Sequence, residues 1–483
     1  MVLEERHDHA PNHISMSEVM EELKLMRSLC LPISALNLLH YVKSMVTVLC
    51  MGLLGRDELA GGALAVGLTN VTGYSVLSGL ALGLEPVAGQ AFGSGNPGAA
   101  RRALRRAVLL LLAASLPVAA LWACAGRAMR AAQQDAAVAR VAGSYCRYAI
   151  PDLAATSVLL PARVYLRSKG EPGRLTSCMA LAVALHVPAT VYLGARLRVP
   201  GVAMATCATN LATLAFLWIS LTWAGTAQKE PDEPTGSAEW ADMAHFSEWA
   251  QLLRLSLPSC LSVCLEWWWY ELMTITAGYL RDPAATLAAA AIVIQTTSLL
   301  YTISVTLSSA VSARVAYELG AGRPRSAHVS FVVAMGLAMV GSCVGLAWAT
   351  LGRRPWVHVF TDDPTVQSLA ASVLPVVGLC ELANCPQTTG CGVLRGSARP
   401  VVGAAINLCS FYLVGAPVAL VLAFGLDMGF LGLCLGLLSA QVVCLLCVGF
   451  ATFQTDWEAE ALKAFHLVGS GDDKGGLAQK ENV

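Results

Sequence analysis

Charge is what this chain has least of. Asp, Glu, Lys and Arg make up 13% of its 483 residues, about half the ~25% usual in soluble domains. So few charges cannot cover a water-facing surface of ordinary size, which excludes a soluble globular protein. Net charge is missing as well, with 32 basic residues against 32 acidic ones. That balance removes the electrostatic case for a nucleic-acid partner. No H-E-x-x-H, phosphate-binding loop, G-x-S-x-G or D-x-D stretch occurs. Without a phosphate loop an ATP-driven pump is disfavoured, and energy must come from an ion gradient. Without a catalytic constellation an enzyme is disfavoured too, and neither a cofactor nor a metal site is expected. Cysteine is plentiful, at 16, but most lie inside apolar runs, where Cys packs as a small hydrophobe. Cys444 and Cys447 have C-x-x-C spacing with no second pair nearby, so packing is the better account. The polar opening (Glu4-Glu-Arg-His-Asp-His9) has no leader pattern and reads as a disordered tail, as does the segment after Trp457.

Long apolar runs fill the remainder. The chain is 56% hydrophobic with a mean hydropathy of +0.59. A bilayer-spanning helix needs ~20 mostly apolar residues. About twelve such runs occur, near 29–54, 62–92, 104–125, 145–167, 175–195, 200–224, 250–280, 284–316, 328–351, 366–392, 401–424 and 429–453. The fold class is therefore an all-α polytopic membrane protein with about twelve transmembrane helices in a lipid bilayer. Plasma, vacuolar and Golgi or endosomal membranes all fit this composition. Asn70-Val-Thr72 matches a glycosylation sequon but lies inside an apolar run, out of reach of that modification.

Lys and Arg mark the cytosolic side. Arg101, Arg102, Arg105 and Arg106 follow run two; Arg167, Lys169 and Arg174 follow run four; Arg323 and Arg325 follow run eight; Arg395 and Arg399 follow run ten. All fall on one side, and both termini are placed there, against Arg127, Arg130, Arg140, Arg353 and Arg354 on the other. The longest connection, rich in Lys, Glu, Asp and Pro (Lys229-Glu-Pro-Asp-Glu-Pro234), divides the runs six and six. The expected organisation is a cytosolic tail over 1–28, an N-lobe over 29–224, a cytosolic linker over 225–249, a C-lobe over 250–453 and a cytosolic tail over 454–483.

The halves resemble each other. Gly93-Ser-Gly-Asn-Pro97 is matched by Gly320-Ala-Gly-Arg-Pro324, 227 positions later. Leu166-Arg167 with Pro172 is matched by Leu394-Arg395 with Pro400, 228 positions later. Leu31-Pro32 opens run one and Leu257-Pro258 opens run seven; Gly201 and Gly429 open runs six and twelve. Six spans return the chain to the same side, so this is a six-helix unit repeated in parallel, as in carriers with a cavity between two lobes.

Ionisable groups inside spans are expensive and by default mark sites. Glu266, in Cys264-Leu-Glu-Trp-Trp-Trp-Tyr-Glu271, is the strongest candidate. Burial penalises the charged form of a carboxylate, so such a group can bind and release a proton. The plainer account is a Glu held by a neighbouring hydroxyl for packing. Glu271 lies about 140° further round the helix, so the two do not share a narrow face; Glu271 and Tyr270 are secondary cavity candidates. Glu381 is the second strong candidate, because Glu381, Asn384 and Thr388 fall on one helical face. Gln387 adds an amide, and Pro386 frees a carbonyl and can kink the helix; interhelical glue is the alternative. Gln295, with Ser298 and Thr302, either lines the cavity or glues helices. In the first half, His40 falls opposite Glu266 in the repeat and could titrate, with Asn37 and Lys43 nearby; a packed histidine is the commoner outcome. Asp152 is expected near the outer end of span four, in water. Glu85, before Pro86 and near Gln90, either braces the inner end of span two or takes part in gating.

Together these stretches resemble the multidrug and toxic compound extrusion (MATE) transporters, specifically the plant DETOXIFICATION group. The resemblance runs from about Leu25 to Trp457. It rests on Asn70 to Gly79, Glu85-Pro86 with Gln90-Ala-Phe-Gly93, Cys264 to Trp268, and Asn384-Cys-Pro-Gln387 through Leu394-Arg-Gly-Ser-Ala-Arg-Pro400. It implies two six-helix lobes around a V-shaped central cavity. It implies proton-coupled export of small organic solutes (xenobiotics, secondary metabolites or hormones) by alternating access, with protons as the coupling partner. The family's protonatable glutamates correspond to Glu266 and Glu381, while Gln295 stands where some animal members carry Glu. The chain is expected to act as a monomer. The rival readings are a signalling or scaffold protein on a carrier fold, weakly supported because the loops are short, and a lipid or glycan flippase.

Overall fold

In a bilayer every backbone polar group must be satisfied within the protein, so apolar runs of this length become helices. The computed structural model describes residues 14–227 and 246–469. Six long helices precede the central connection: α1 (Met16–Leu54), α2 (Asp57–Gly93), α3 (Pro97–Ala131), α4 (Ala136–Ser168), α5 (Pro172–Leu197) and α6 (Val199–Ala227). Six follow: α7 (Phe246–Ala277), α8 (Pro283–Gly320), α9 (Pro324–Leu351), α10 (Pro364–Gly396), α11 (Pro400–Gly425) and α12 (Gly429–Phe453). Ten are apolar enough to span a membrane by composition. The other two, α4 and α7, are just as long at 33 and 32 residues but carry the buried charges described below.

The ends differ from the sequence expectation. α1 begins at Met16, inside the tail expected over 1–28. Ser15 caps it, accepting from the Glu18 N–H while the Glu18 side chain reaches back to the Ser15 N–H. Glu18 and Glu22 pair with Arg325 and Arg314 of the second half, which holds this polar stretch as helix. At the other end, Trp457–Gly469 is a helix rather than tail, and its Ala464 is buried in a cluster with Phe331, Met26 and Leu319. Residues 1–13, 470–483 and the 228–245 part of the linker lie outside the described residues.

The repeat is visible in the turns. After α2, α4, α8 and α10 the chain makes the same helix stop. Gly95, Gly170, Gly322 and Ala398 adopt left-handed φ values of 75, 84, 68 and 58°. The next residue, Asn96, Glu171, Arg323 or Arg399, donates its N–H to the carbonyl of Ala91, Leu166, Glu318 or Leu394, at 2.7–2.9 Å. A proline then opens the next helix each time. All four turns sit at the end of the bundle that carries the start of α1, the arginine-rich end.

The lobes meet mainly in the half nearer that end. Met26, Leu29 and Ile33 of α1 pack on Ala310, Val311, Val315 and Leu319 of α8. α2 crosses α8 so closely that a Cβ on Gly93 would lie 2.0 Å from the Tyr317 carbonyl oxygen. One on Gly320, its repeat mate, would lie 2.2 Å from the Gln90 carbonyl oxygen. α2 also packs along α7, up to a Trp268 Nε1 bond to the Val71 carbonyl, 3.1 Å. Beyond this waist the lobes diverge, forming the V.

Candidate functional site

Three sets of polar groups lie inside the bundle. The first is at the waist. Glu85 of α2 is 1% exposed and accepts from Arg167 Nη2 of its own lobe. It also accepts from Arg395 Nε (3.1 Å) and Ser312 Oγ (2.6 Å) of the other lobe. Arg395 reaches on to Ser308 Oγ at 2.9 Å, and Ser308 donates to the Thr388 carbonyl at 2.6 Å. The cluster follows the repeat: Arg167 and Arg395 are 228 positions apart, and Glu85 and Ser312 are 227 apart. Equivalent arginines from the two lobes thus close on one carboxylate. Arg167 and Arg395, counted as loop charges in the sequence reading, are helical, and Arg167 is buried. Through these bonds Glu85 ties α2 to α4, α8 and α10.

The second set lies in the C-lobe. Glu381, 2% exposed, accepts from Asn384 Nδ2 at 3.1 and 3.3 Å. Asn384 Oδ1 accepts in turn from Thr388 Oγ1 (3.4 Å) and Gln387 Nε2 (3.5 Å). The one-face ladder read from the sequence is therefore a hydrogen-bonded chain, and α10 runs through Pro386 without interruption. Glu266 of α7 is half-buried and an electrostatic neighbour of Glu381, and Tyr270 is within reach of both. Tyr301 of α8 and Arg395 also lie near Glu266. Among the described residues, no cation forms an ion pair with Glu266 or Glu381.

Glu271 and Gln295 stand apart from this pair. The Glu271 carboxylate points at α2, 4.0 Å from where a Cβ on Gly67 would be. Gln295 accepts from Tyr41 of α1 at 3.4 Å, so it joins the lobes. Asn37 also bridges them, donating to Thr306 Oγ1 of α8 at 3.0 Å while accepting from Arg163 of α4. His40 is exposed on α1, in the electrostatic reach of Lys43 and Arg163.

The third set lies in the N-lobe, and the sequence reading names Lys43 and Asp152 without bringing them together. Asp152, expected in water, is 1% exposed. It accepts from Tyr74 OH at 2.7 Å, Asn210 Nδ2 at 2.8 Å and Thr156 Oγ1 at 3.4 Å. Asn210 Oδ1 accepts from Lys43 Nζ at 2.9 Å. α4 starts nine residues before the apolar run suggested, at Ala136, which puts Asp152 mid-helix.

Two repeat-related six-helix lobes around a common opening, with acids buried in both, define a multi-pass membrane carrier. The chain belongs to the MatE family: its model matches residues 32–192 and 258–421, one stretch in each lobe. Protein DETOXIFICATION 55 of Arabidopsis thaliana is 50% identical over 467 residues, covering 94% of this chain and 92% of that protein. Protein DETOXIFICATION 52 of the same plant is 42% identical over 465 residues, covering 96% and 90%. The crystal structure of the eukaryotic MATE transporter AtDTX14 superposes with a TM-score of 0.87 at 28% identity, over 93% of this chain and all of that one. The protein is accordingly a membrane-spanning transporter for small solutes.

Proposed function

We propose that the chain is a secondary active exporter of organic solutes, driven by proton antiport, with Glu266 and Glu381 as the exchanging groups. The observation that supports this most is the setting of Glu381. It is a deeply buried carboxylate whose hydrogen-bond donor is an amide, beside a second carboxylate and a tyrosine. A buried acid held by arginines is locked in place, as Glu85 is. One without a cation can be neutralised by a proton, which makes it a switch. Protons entering from the acidic side bind the pair, change how α7 and α10 pack within the C-lobe and release the solute. Loss of those protons on the other side reloads the site. The arginine-rich end faces the cytosol in this reading, and the V opens away from it. Glu266, Glu381 and the groups around them all come from one chain, so the monomer is the working unit in this reading.

The test is uptake into proteoliposomes under an imposed pH gradient, across a panel of aromatic cations, hormones and organic acids. Gradient-driven transport of at least one class is expected, and a Glu266→Gln, Glu381→Gln double variant should lose it. Undiminished proton-driven transport in that variant would sink the assignment. Lipid scrambling without solute transport would turn the reading towards a flippase.

A further inference from the structure

Among the described residues, three cations at the heart of the bundle are tied to an acid directly or through an amide, and a fourth is not. Lys43 is tied through Asn210 to Asp152. Arg167 and Arg395 share Glu85. Arg163 of α4, about one turn before Arg167, has no carboxylate of its own. Its charged neighbours are Arg167, of like sign, and Glu85, already held by two guanidinium groups. Its hydrogen bond among the described residues goes to the amide oxygen of Asn37.

The position of this surplus charge is informative. Asn37 bonds across to Thr306 of α8, so the Arg163 guanidinium lies at the junction of the lobes, at the root of the V. It is half-buried rather than enclosed, so part of its donor edge is open to that space. A guanidinium carries five N–H donors in a rigid fork that fits a carboxylate, and one donor is engaged here. His40 is exposed on the same wall, while Lys43 is buried and bonded to Asn210, so Arg163 supplies the cation on this side of the opening. Tyr270 and Tyr301, both half-buried beside Glu266 in the C-lobe, offer flat surfaces against which an apolar body can pack. A charge left unmatched in a low-dielectric interior is costly, and a ligand carboxylate would remove that cost each time it arrived.

We infer that Arg163 is the anchor for the anionic group of the transported solute, and that the carrier takes organic carboxylates with a flat apolar body. This rests on the reading of the V as the solute path, and it assigns that path a substrate class and a specificity-determining residue.

Equilibrium binding to the full-length protein in lipid nanodiscs tests it, with 2-naphthoate as the fluorescent probe and 2-naphthamide as its neutral counterpart. A hydrogen bond to a charged group contributes ~1.5–3 kcal/mol, so naphthoate should bind tighter than naphthamide by about tenfold or more. In Arg163→Gln that preference should fall to about one, and Arg163→Lys should keep part of it. Binding of tetraphenylphosphonium, a cation with no use for a guanidinium, reports whether the root of the V is intact and should persist in both variants. Three results would overturn the inference: no preference for naphthoate in the wild type, a preference that survives Arg163→Gln, or loss of all three probes together, which would make Arg163 a clamp on Asn37 and nothing more. No gradient is imposed, so failure of proton coupling at Glu266 and Glu381 would leave this measurement standing.

Discussion

The two lobes are copies of one six-helix unit, with the same turns at the same places, yet they carry opposite chemistry at their hearts. In the N-lobe, Asp152 is surrounded by Tyr74, Asn210 and Thr156, with Lys43 one amide away. In the C-lobe, Glu381 is held by Asn384 and stands beside a second acid. The repeat places His40 where the C-lobe has Glu266. Duplication preserved the helices and their stops, while the buried charges diverged. A carboxylate held by cations serves as scaffold, and one whose donor is a neutral amide can take up a proton, which is the role proposed above for Glu381. The waist cluster shows the scaffold limit, since Glu85 is gripped by an arginine from each lobe.

The largest effect is expected there. Glu85→Gln leaves Arg167 and Arg395 without their shared carboxylate, and breaking a buried ion pair from one side costs ~3–5 kcal/mol. The variant should melt far below the wild type, or fail to accumulate as folded protein, when thermal unfolding is followed in detergent. A variant that melts with the wild type would show that this cluster does not hold the lobes together.

A paired substitution sharpens the contrast between the lobes themselves. Asp152→Asn weakens three hydrogen bonds to a charged acceptor and leaves Lys43 with Asn210 alone, so it should also be destabilising, by ~1.5–3 kcal/mol. Glu381→Gln loses no ion pair and keeps an oxygen for Asn384, so its cost should stay within ~1 kcal/mol while proton-driven transport fails. Equal melting shifts for the two would erase the distinction between scaffold and switch.

The next effect is on pH dependence. If Glu266 and Glu381 load solute in their ionised forms, affinity for a cationic probe rises as pH rises, because two negative charges appear on the wall. It falls on acidification, as protons replace the probe. A change of about tenfold corresponds to ~1.4 kcal/mol. In the Glu266→Gln, Glu381→Gln variant the profile should be flat, as binding measured in nanodiscs across the acidic to neutral range would show. A profile that keeps its slope would mean that other groups titrate.

These contrasts were unequally legible in the sequence. The spans could be read because a bilayer demands long apolar runs, and the duplication because proline and glycine recur at fixed offsets. Glu381, Asn384 and Thr388 could be placed together because one helix sets their spacing. Arg167 and Arg395 could not be placed, since their partner lies 82 positions from one and 310 from the other, and only folding brings them to Glu85. Asp152 was placed in water because Arg140 cuts the apolar run off near 145, short of the true start of α4 at Ala136. The early start of α1 was partly legible: Ser15-Met-Ser-Glu18 is a capping box, but the ion pairs that keep 16–28 helical come from the other half of the chain.

The smallest effect probes the repeat at its one irregular turn. Three of the four turns put glycine at the left-handed position, and the fourth puts Ala398 there at φ 58°. A Cβ in that region costs ~1–2 kcal/mol through its contact with the following carbonyl. Glycine avoids the contact but has more freedom to lose on folding. Ala398→Gly should therefore stabilise by about 1 kcal/mol or less. Gly95→Ala, Gly170→Ala and Gly322→Ala should each destabilise by a similar amount. No atom lies within 4 Å of a Cβ built at any of those three glycines, so their cost is conformational and carries no packing term. Thermal unfolding of the four variants should thus show three small decreases and one small increase. If Ala398→Gly instead lowers stability, the C-lobe turn draws something from its methyl group that its N-lobe counterpart does without, and the lobes differ in their turns as well as in their charges.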